Sequence, residues 1–502
     1  MFILVGLTIV TLSKPIKLKL SHRNGAMIMD LSHTRLLRKK DINAMLATYH
    51  SPLKKELKTF DLTMLGIGAI IGTGIFVLTG TGALTAGPGL MISFVLAAIA
   101  CLFASLCYAE FAAMVPESGS AYTYAYTTLG EIVAFIIGWD LMLEYLFAVS
   151  TVSAGWSGYF QSFLAGFGLK LPAALSAAAG SVPGVTSYFN LPAFTIIILI
   201  TTLLSLGVKE TKRVNNVMVV IKLAVVLLFI FTAVRFIKPA NWSPLLPFGF
   251  KGVFGAASSV FFAFIGFDAI SSSVEETLEP SKTLPRSMLL SLGICTILYV
   301  AVSAIMTGVV PFETFAKYID HPISAVLIYS GQNWMAGIID LGAILGMTTV
   351  MLVCLYGQTR ISFSMSRDGL LPHVFSDISA KTGAPLKSTV LFGSIAAIMG
   401  GLIPLADLAE LVNIGTLTAF TLVSFSILRL RKTQPDLRRP FKTPWVPFVP
   451  IMSIICCVFL LINLKPVTWI RFVVWLAIGM VVYFGYSVKH SQLKTNTATD
   501  EK

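Results

Sequence analysis

Four ionisable side chains lie within long apolar stretches of this chain, where a charge is costly. Lys222 is surrounded by valine, isoleucine and leucine, and Asp140 and Glu144 are four residues apart in another apolar stretch. This spacing places the two carboxyls on one face of a helix. Asp268 ends a third apolar run. Ionisable groups at such depth usually move a proton, meet a ligand or pair with each other.

These four residues have two alternative roles. Burial favours the uncharged form of a lysine, so Lys222 is a candidate proton carrier, with Glu144 and Asp268 as its coupling partners. The carboxylates could also attract a basic substrate. In the structural alternative, Lys222 is a static ammonium that ties its helix to backbone carbonyls, and Asp140 is a hydrogen-bond cap.

Two apolar segments carry glycines where a lipid-facing helix would carry leucine. The first runs Gly66-Ile67-Gly68-Ala69-Ile70-Ile71-Gly72-Thr73-Gly74-Ile75-Phe76, and the second runs Phe261-Phe262-Ala263-Phe264-Ile265-Gly266-Phe267-Asp268. Glycine costs about 1 kcal/mol relative to alanine inside a helix, so both segments predict a break at mid-depth. Paired breaks in corresponding spans indicate a transporter built from an inverted repeat, whose substrate lies between them.

The chemistry of the breaks suits a small zwitterion. Free backbone N–H groups where a half-helix begins can bind a carboxylate, and released carbonyls at the end of the other half-helix can bind an ammonium. The predicted substrate-binding residues are Ile70, Ile71, Gly72, Thr73, Gly74, Phe262, Ala263, Phe264, Ile265 and Met351.

Each of these assignments has a packing alternative. Gly68-x-x-x-Gly72 matches the small-residue pattern that lets two helices touch. Phe264 is the candidate that closes over the substrate, although a phenylalanine in such a segment is more often core. Met347 and Met351 are candidates for the side-chain pocket, and methionine in an apolar helix is more often a gap filler.

Composition shows what kind of protein holds these residues. The 502 residues are 56% hydrophobic and 12% charged, against roughly 25% charged in soluble domains. The apolar runs are about 20 residues long, which is the length of a membrane-spanning helix. We therefore predict an all-α integral membrane protein with about twelve transmembrane helices. The spans are 59–80, 88–114, 131–159, 191–206, 214–237, 254–272, 287–310, 334–363, 388–403, 409–428, 446–462 and 468–488.

The charge distribution predicts orientation. The formal net charge is +13, and most lysines and arginines fall on one side of the predicted spans. Because basic loops stay on the cytoplasmic side, both termini are predicted to be cytoplasmic and the protein to lie in the cell membrane. The positive charge thus reflects topology and anionic lipid rather than nucleic acid. Six cysteines fall in the spans and six histidines outside them, so no metal or cofactor site is expected.

The predicted organisation has four parts. Residues 1–58 form a basic cytoplasmic tail, of which 1–26 could come from an upstream start codon. Residues 59–428 form the transport core of five plus five inverted helices (LeuT-like), with its first and sixth helices broken. Residues 429–488 add two helices, and 489–502 form a cytoplasmic tail.

Several motifs resemble the amino acid-polyamine-organocation permeases, especially bacterial members related to the cationic amino acid transporters. They are Gly66 to Phe76, Cys107 to Phe111 with Pro116 to Tyr122, Gly138-Trp139-Asp140 with Leu143-Glu144-Tyr145, Lys222, Phe262 to Asp268 with Glu275-Glu276, and Arg360 to Leu371. The resemblance covers about residues 53–488.

The resemblance implies a secondary transporter that binds an amino acid between the two breaks. In proton-coupled members of the family a lysine like Lys222 takes the place of a sodium ion, which implies protons as the coupling partner. Thr348 and Thr349 are of the type that helps to bind sodium in related folds, so sodium coupling stays open. An amino acid exchanger and a polyamine or amine carrier are the functional alternatives. A small membrane partner cannot be predicted from this sequence.

Acidic residues near the predicted cytoplasmic ends suggest a gate. Glu110 and Glu276 are the main candidates, with Glu117 and Glu275 nearby, and Arg360 and Arg367 as possible partners. Solvated surface charge is the alternative. A channel would show charged rings or filter carbonyls, and an enzyme would need a nucleophile–base pair or a metal cluster, and neither pattern is found in the spans.

Overall fold

The computed structural model describes residues 38–40, 55–115, 120–181, 186–206, 212–379 and 385–493. Within these residues the regular elements are helical, apart from one isolated parallel bridge between Leu57 and Thr277. The predicted upstream extension, most of the amino-terminal tail and residues 494–502 lie outside the described residues. So does the stretch 116–119, which includes Glu117.

The first apolar segment is divided into three helices. They are α1 (Thr59–Ile70), α2 (Thr73–Phe76) and α3 (Leu78–Ala86). The backbone leaves the helical conformation at Ile71 and Gly72. This interruption lies inside the glycine cluster that predicted it.

Long helices make up most of the remaining chain. In order they are α4 (Leu90–Met114), α5 (Ser120–Thr128), α6 (Glu131–Gly166), α7 (Leu191–Ser205), α8 (Lys212–Ala233), α9 (Gly249–Val260), α10 (Pro280–Val309), α11 (Pro322–Tyr329), α12 (Asn333–Arg367), α13 (Leu386–Leu402), α14 (Leu405–Thr433), α15 (Phe448–Ile462), α16 (Pro466–Val482) and α17 (Val488–His490).

The second interruption follows α9. A 3₁₀ turn over Phe261–Phe264 leads to an extended Ile265, then to Gly266 at φ 116°, and a 3₁₀ segment covers Phe267–Glu276. Only glycine adopts that positive φ without strain, because it has no Cβ. Gly266 therefore fixes the point where the chain changes direction.

Eight helical stretches in the described chain are long and apolar enough to cross a membrane. Four shorter apolar helices, Thr59–Ile70, Leu191–Ser205, Leu386–Leu402 and Phe448–Ile462, add to them. The protein is thus a helical, multi-pass membrane protein. The count of twelve spans, the inverted repeat and the domain boundaries remain predictions.

The long helix α6 forms the centre of the bundle and packs against α12 and α14, while α1 packs against α8 and α10. Side-chain hydroxyls join neighbouring helices: Ser150 Oγ donates to the Ala396 carbonyl at 2.9 Å, and Ser258 Oγ donates to the Leu460 carbonyl at 2.9 Å. In lipid such bonds and close packing hold helices together, because apolar side chains gain little by leaving one apolar medium for another.

Candidate functional site

The two interruptions touch each other at their glycines. A Cβ on Gly74 would overlap the Cα of Ala263, and a Cβ on Gly266 would lie 2.9 Å from the Cβ of Ala69. Each interruption therefore places a glycine against the backbone of the other. This close approach explains why glycine occurs at both positions, beyond its effect on helix propensity.

Tyr299 on α10 holds the two interruptions together. Its hydroxyl oxygen lies 2.9 Å from the carbonyl oxygen of Ile70 and 2.8 Å from that of Ala263. The residue is fully buried. Sequence reasoning missed it, although it is the only tyrosine of α10.

A cavity of about 40 Å³ lies between the interruptions and the middle of α6 and α12. One water needs roughly 10–15 Å³ of such space, so the cavity holds a few waters but is nearly closed. Its lining is mostly apolar and consists of Ala69, Ile70, Gly72, Thr73, Gly74, Glu144, Tyr145, Ala148, Val152, Phe262, Ile265, Gly266, Asp268, Ala269, Val350, Val353 and Cys354.

Four consecutive backbone amides at the first interruption lack an acceptor. Within the described chain, the N–H groups of residues 72–75 donate no hydrogen bond, while Ile71 N–H bonds to Ile67 and Phe76 N–H to Gly72. Gly72, Thr73 and Gly74 line the cavity. Unpaired buried amides are costly, so this segment is ready for an anionic ligand.

Carbonyl oxygens are available at the second interruption. Phe262 O accepts from Ile265 N–H, and Ala263 O accepts from Tyr299, whereas Ile265 O receives no hydrogen bond within the described residues. Ile265 also lines the cavity. Of the three carbonyls expected to meet an ammonium, Ile265 O is thus the one that remains free.

The predicted substrate-binding residues divide into two groups. Ile70, Gly72, Thr73, Gly74, Phe262 and Ile265 line the cavity, whereas Ile71, Ala263, Phe264 and Met351 are buried outside its lining. Phe264 packs against Phe94, with ring centroids 6.2 Å apart, and against Tyr299, at 5.2 Å. The phenylalanine facing the cavity is therefore Phe262. Met347 accepts a hydrogen bond from Thr73 Oγ1 at 3.4 Å.

Gly68 and Gly72 have different surroundings. A Cβ on Gly68 would lie 2.7 Å from Val219 Cγ2, so α1 and α8 approach closely there. Gly72, in contrast, lines the cavity opposite Val350.

Lys222 lies behind the first interruption rather than in the cavity. Its Nζ donates to the carbonyl of Gly68 at 2.7 Å, and the side chain is 1% exposed. A Cβ on Gly346 would lie 3.2 Å from Lys222 Cγ, so glycine on α12 leaves space for the lysine stem. The ammonium thus contacts the last turn before the break.

The carboxylates are distributed around the cavity. Glu144 and Asp268 line it, and Asp268 Oδ1 accepts from Gly266 N–H at 3.2 Å. Asp140 is buried between α6 and α14, outside the cavity, and neither of its carboxylate oxygens has a hydrogen-bond partner in the described chain.

The two threonines that suggested sodium are engaged in local bonds. Thr348 Oγ1 donates to Ile344 O at 2.8 Å and accepts from Trp156 Nε1 at 3.0 Å. Thr349 Oγ1 donates to Gly346 O at 2.8 Å. No group of three or more His, Cys, Asp or Glu that could hold a metal ion occurs in the described chain.

Glu110 forms an ion-pair cluster with partners other than those expected. Arg431 Nε and Nη2 donate to its two carboxylate oxygens at 3.0 and 2.8 Å, Arg439 Nε lies 3.4 Å from Oε1, and Thr443 N–H donates at 2.7 Å. Arg360 instead stacks on the ring of Tyr356. The cluster fastens α4 to the end of α14.

The contacts of Glu276 with the segment before α1 are made by its backbone. Its carbonyl accepts from the N–H groups of Glu56 and Leu57, both at 2.9 Å. This contact fastens the chain just before α1 to the end of the second interruption. The side chain of Glu275 lies outside the described residues.

A second ion pair, which sequence reasoning missed, lies where α12 ends. Lys40 Nζ lies 2.9 Å from both carboxylate oxygens of Asp368, and Tyr122 Oη donates to Asp368 Oδ2 at 2.6 Å. The Asp368 carbonyl accepts from Gln492 N–H at 3.1 Å. We call Lys40, Tyr122 and Asp368 the latch. The latch joins the amino-terminal part of the described chain to α5 and to the end of α12. The Gln492 contact brings the carboxyl-terminal part to the same place.

Comparisons with known proteins show the family of this chain. The family described as "Amino acid permease" matches residues 57–487. The chain is 63% identical to the branched-chain amino acid permease BcaP of Bacillus subtilis and 52% identical to the methylthioribose transporter of the same organism, each over 91% of this chain and 99% of the relative. It is 30% identical to human cationic amino acid transporter 4, over 89% of each chain.

Proposed function

The chain belongs to the amino acid permease family and is a transporter rather than an enzyme, and we propose that it is a secondary active, proton-coupled permease for amino acids with aliphatic side chains. It takes up its substrate across the cell membrane by alternating access, with both termini in the cytoplasm. The substrate binds between the interruptions at Ile71–Gly72 and Ile265–Gly266.

The four unpaired amides of residues 72–75 are the observation that carries this proposal. A carboxylate satisfies them and gains charge-assisted hydrogen bonds in a site with little water. The Ile265 carbonyl and the carboxylates of Glu144 and Asp268 line the same cavity and supply acceptors for an ammonium. Together these groups match the two charges of a free amino acid.

The apolar part of the cavity supports an aliphatic side chain. This wall is formed by Ala148, Val152, Val350, Val353 and Cys354, whose side chains offer a basic group neither a carboxylate nor an oxygen acceptor. The relative at 63% identity is named for branched-chain amino acids, whereas the relative named for cationic amino acids is 30% identical. Both facts favour leucine, isoleucine and valine over arginine and lysine.

Lys222 supplies the proton switch in this proposal. When protonated, its ammonium bonds to the Gly68 carbonyl and holds α1 against α8 and α12. When neutral, it loses about half of that attraction, because a charged hydrogen bond is about twice as strong as a neutral one. Proton release would therefore weaken the contact that holds α1 in place. This links the proton to the substrate site, which begins about one helical turn after Gly68.

Alternating access also needs a reversible closure at the cytoplasmic end, and the latch suits this role. It crosses from the segment before α1 to the end of α12, so its opening would let the first interruption move away from α12. Glu110 is better suited to a permanent contact, because two N–H groups of Arg431 and the N–H of Thr443 donate to its fully buried carboxylate.

Two alternatives make different demands on the same site. An exchanger would need amino acid on both sides and no proton gradient. A polyamine or amine carrier would leave the amides of residues 72–75 without a carboxylate. The 52% identity to a transporter named for methylthioribose, which also lacks an amino acid carboxylate, makes this second alternative worth testing.

Uptake into proteoliposomes tests the proposal. We expect labelled leucine, isoleucine and valine to enter when an inward proton gradient is imposed, with or without sodium, and arginine and spermidine to enter poorly. Lys222→Ala should abolish the stimulation by protons, and Lys238→Ala, a basic residue outside the cavity, should leave it intact. Uptake driven only by sodium, or only by amino acid trapped inside, would contradict proton symport.

A further inference from the structure

A second, larger cavity lies at the opposite end of the bundle from the latch. Its volume is about 300 Å³, and it is formed by α3, the end of α6, the loop after it, the start of α7, the segment before α11 and the α13–α14 turn. We call it the vestibule. Its polar lining residues include Ser157, Gln161, Asn190, Asp320 and Asp407.

Asp320 is the one lining carboxylate that has no partner within the described chain. The other, Asp407, accepts a hydrogen bond from Arg471 Nη2 at 3.0 Å. Burial raises the pKa of Asp320 to about 6, which still leaves the carboxylate mostly ionised at pH 7. The vestibule therefore contains a negative charge without a fixed counter-ion.

The position of Asp320 is fixed by close packing. A Cβ on Gly158 would lie 2.6 Å from both the Cβ and the carbonyl oxygen of Asp320, so glycine on α6 lets this segment lie directly on the helix. The carboxylate is thus held at a defined place rather than on a loose loop.

Hydrogen bonds also fix the polar wall near Asp320. Gln161 Nε2 donates to Ser157 Oγ at 2.9 Å and to Ser176 O at 2.7 Å, and Ser157 Oγ donates to Asn190 Oδ1 at 2.6 Å. Asn190 in turn caps α7 by accepting from Ala193 N–H. A wall built in this way is preorganised for a polar ligand, because little ordering remains to be done on binding.

The vestibule adjoins the first interruption. Val77, between α2 and α3, lines it, and Tyr159 on α6 donates to the carbonyl of Phe76 at 2.6 Å. A ligand in the vestibule therefore lies next to the half-helix whose amides line the central cavity.

We propose that the vestibule is a second amino acid binding site, in which Asp320 binds the ammonium group of a substrate molecule before that molecule moves to the central cavity. This inference rests on the proposed function, since it requires an amino acid as the transported solute. The vestibule is large enough for a whole amino acid, whereas the central cavity in this conformation holds only a few waters. Capture at the vestibule would concentrate substrate ahead of the step that opens the central site.

Initial rates of leucine uptake into proteoliposomes test the vestibule. We expect Asp320→Asn to raise the KM for leucine about fivefold, as suits one partly screened ion pair, with kcat unchanged. Asp320→Glu should restore a KM close to that of the wild type. Glu313→Gln, on the same segment but exposed and outside the vestibule, should have no effect.

The outcomes distinguish failure of the vestibule site from failure of the proposed transport function. If the wild type takes up leucine but Asp320→Asn keeps its KM, the vestibule site is wrong and the transport function stands. An equal loss of kcat in Asp320→Asn and Asp320→Glu would indicate a purely structural role and would also reject the site. If the wild type takes up no amino acid at all, the proposed function and the vestibule site both fail.

Discussion

The central cavity and the vestibule are built from different parts of the chain. Around the central cavity the polar groups come mainly from the backbone, at two interruptions that touch through Gly74 and Gly266. In the vestibule they come mainly from side chains on loops and helix ends. The first arrangement tolerates no added atom where the interruptions meet, whereas the second has open space.

This difference suggests different tasks. Backbone amides and carbonyls at a glycine contact have fixed positions, so they can select a substrate by its two charged groups. Side chains in a wider space can attract a solute without enclosing it. We therefore expect substitutions at the central contact to abolish transport and substitutions in the vestibule to change apparent affinity.

The largest expected effect is at Gly74. Gly74→Ala adds a methyl group that would overlap Ala263 and push the two interruptions apart. A displacement of about 1 Å can cost about 100-fold in rate, so we expect uptake to fall by at least about that factor. Gly293→Ala on α10, where a Cβ meets nothing within 4 Å, is the matched control. Normal uptake by Gly74→Ala would mean that the interruptions do not need this contact.

A smaller loss is expected at Tyr299. Tyr299→Phe removes the hydroxyl that lies between the carbonyls of Ile70 and Ala263 and leaves both less well satisfied. The expected cost is about 1–3 kcal/mol, seen as a lower thermal stability in detergent together with weaker leucine binding. Tyr329→Phe, at an exposed tyrosine, should change neither. Unchanged leucine binding by Tyr299→Phe would show that the Tyr299 hydroxyl does not contribute to the substrate site.

The smallest expected effect is the pH dependence of the vestibule. Above about pH 6 Asp320 is ionised and attracts an ammonium, and this attraction is lost as the external pH falls through about 6. The KM for leucine should then rise a fewfold in the wild type and not in Asp320→Asn. An equal rise in both proteins would assign the effect to another group.

Other titratable groups near Asp320 bear on this measurement. Burial lowers the pKa of the neighbouring His321 to about 4, so this histidine stays neutral above pH 5. Asp407 is already paired with Arg471. Further titratable or charged groups on the surrounding elements include Glu313, Lys317 and Tyr318 on the same segment, Lys170 on the loop after α6, Tyr159 on α6 and Asp340 on α12.

The sequence predicted the two interruptions better than the rest of the molecule. Glycines in apolar spans and ionisable residues at depth break strong rules for membrane helices, so Gly72, Gly74, Gly266 and Lys222 were visible without a structure. The breaks lie where those glycines predicted them.

Other features depend on contacts between distant parts of the chain. Tyr299 lies more than 220 residues from Ile70, and Lys40 lies 328 residues from Asp368. A tyrosine or a surface lysine breaks no rule by itself, and charges near helix ends have many possible partners. Glu110, for example, pairs with Arg431 and Arg439 rather than with Arg360 or Arg367, and its role in gating stays a prediction. The vestibule was not predicted, because its lining comes from several separate segments.

The most direct test of the central claim asks whether the amides of residues 72–75 recognise a carboxylate. Binding of labelled leucine to the purified protein would be measured in competition with unlabelled leucine, leucinamide and N-acetyl-leucine. Leucinamide keeps the ammonium and the side chain and lacks only the negative charge. We predict that leucinamide competes at least about 100-fold more weakly than leucine, because it leaves buried amides without a charged partner. Equal competition by leucine and leucinamide would contradict carboxylate recognition at the first interruption.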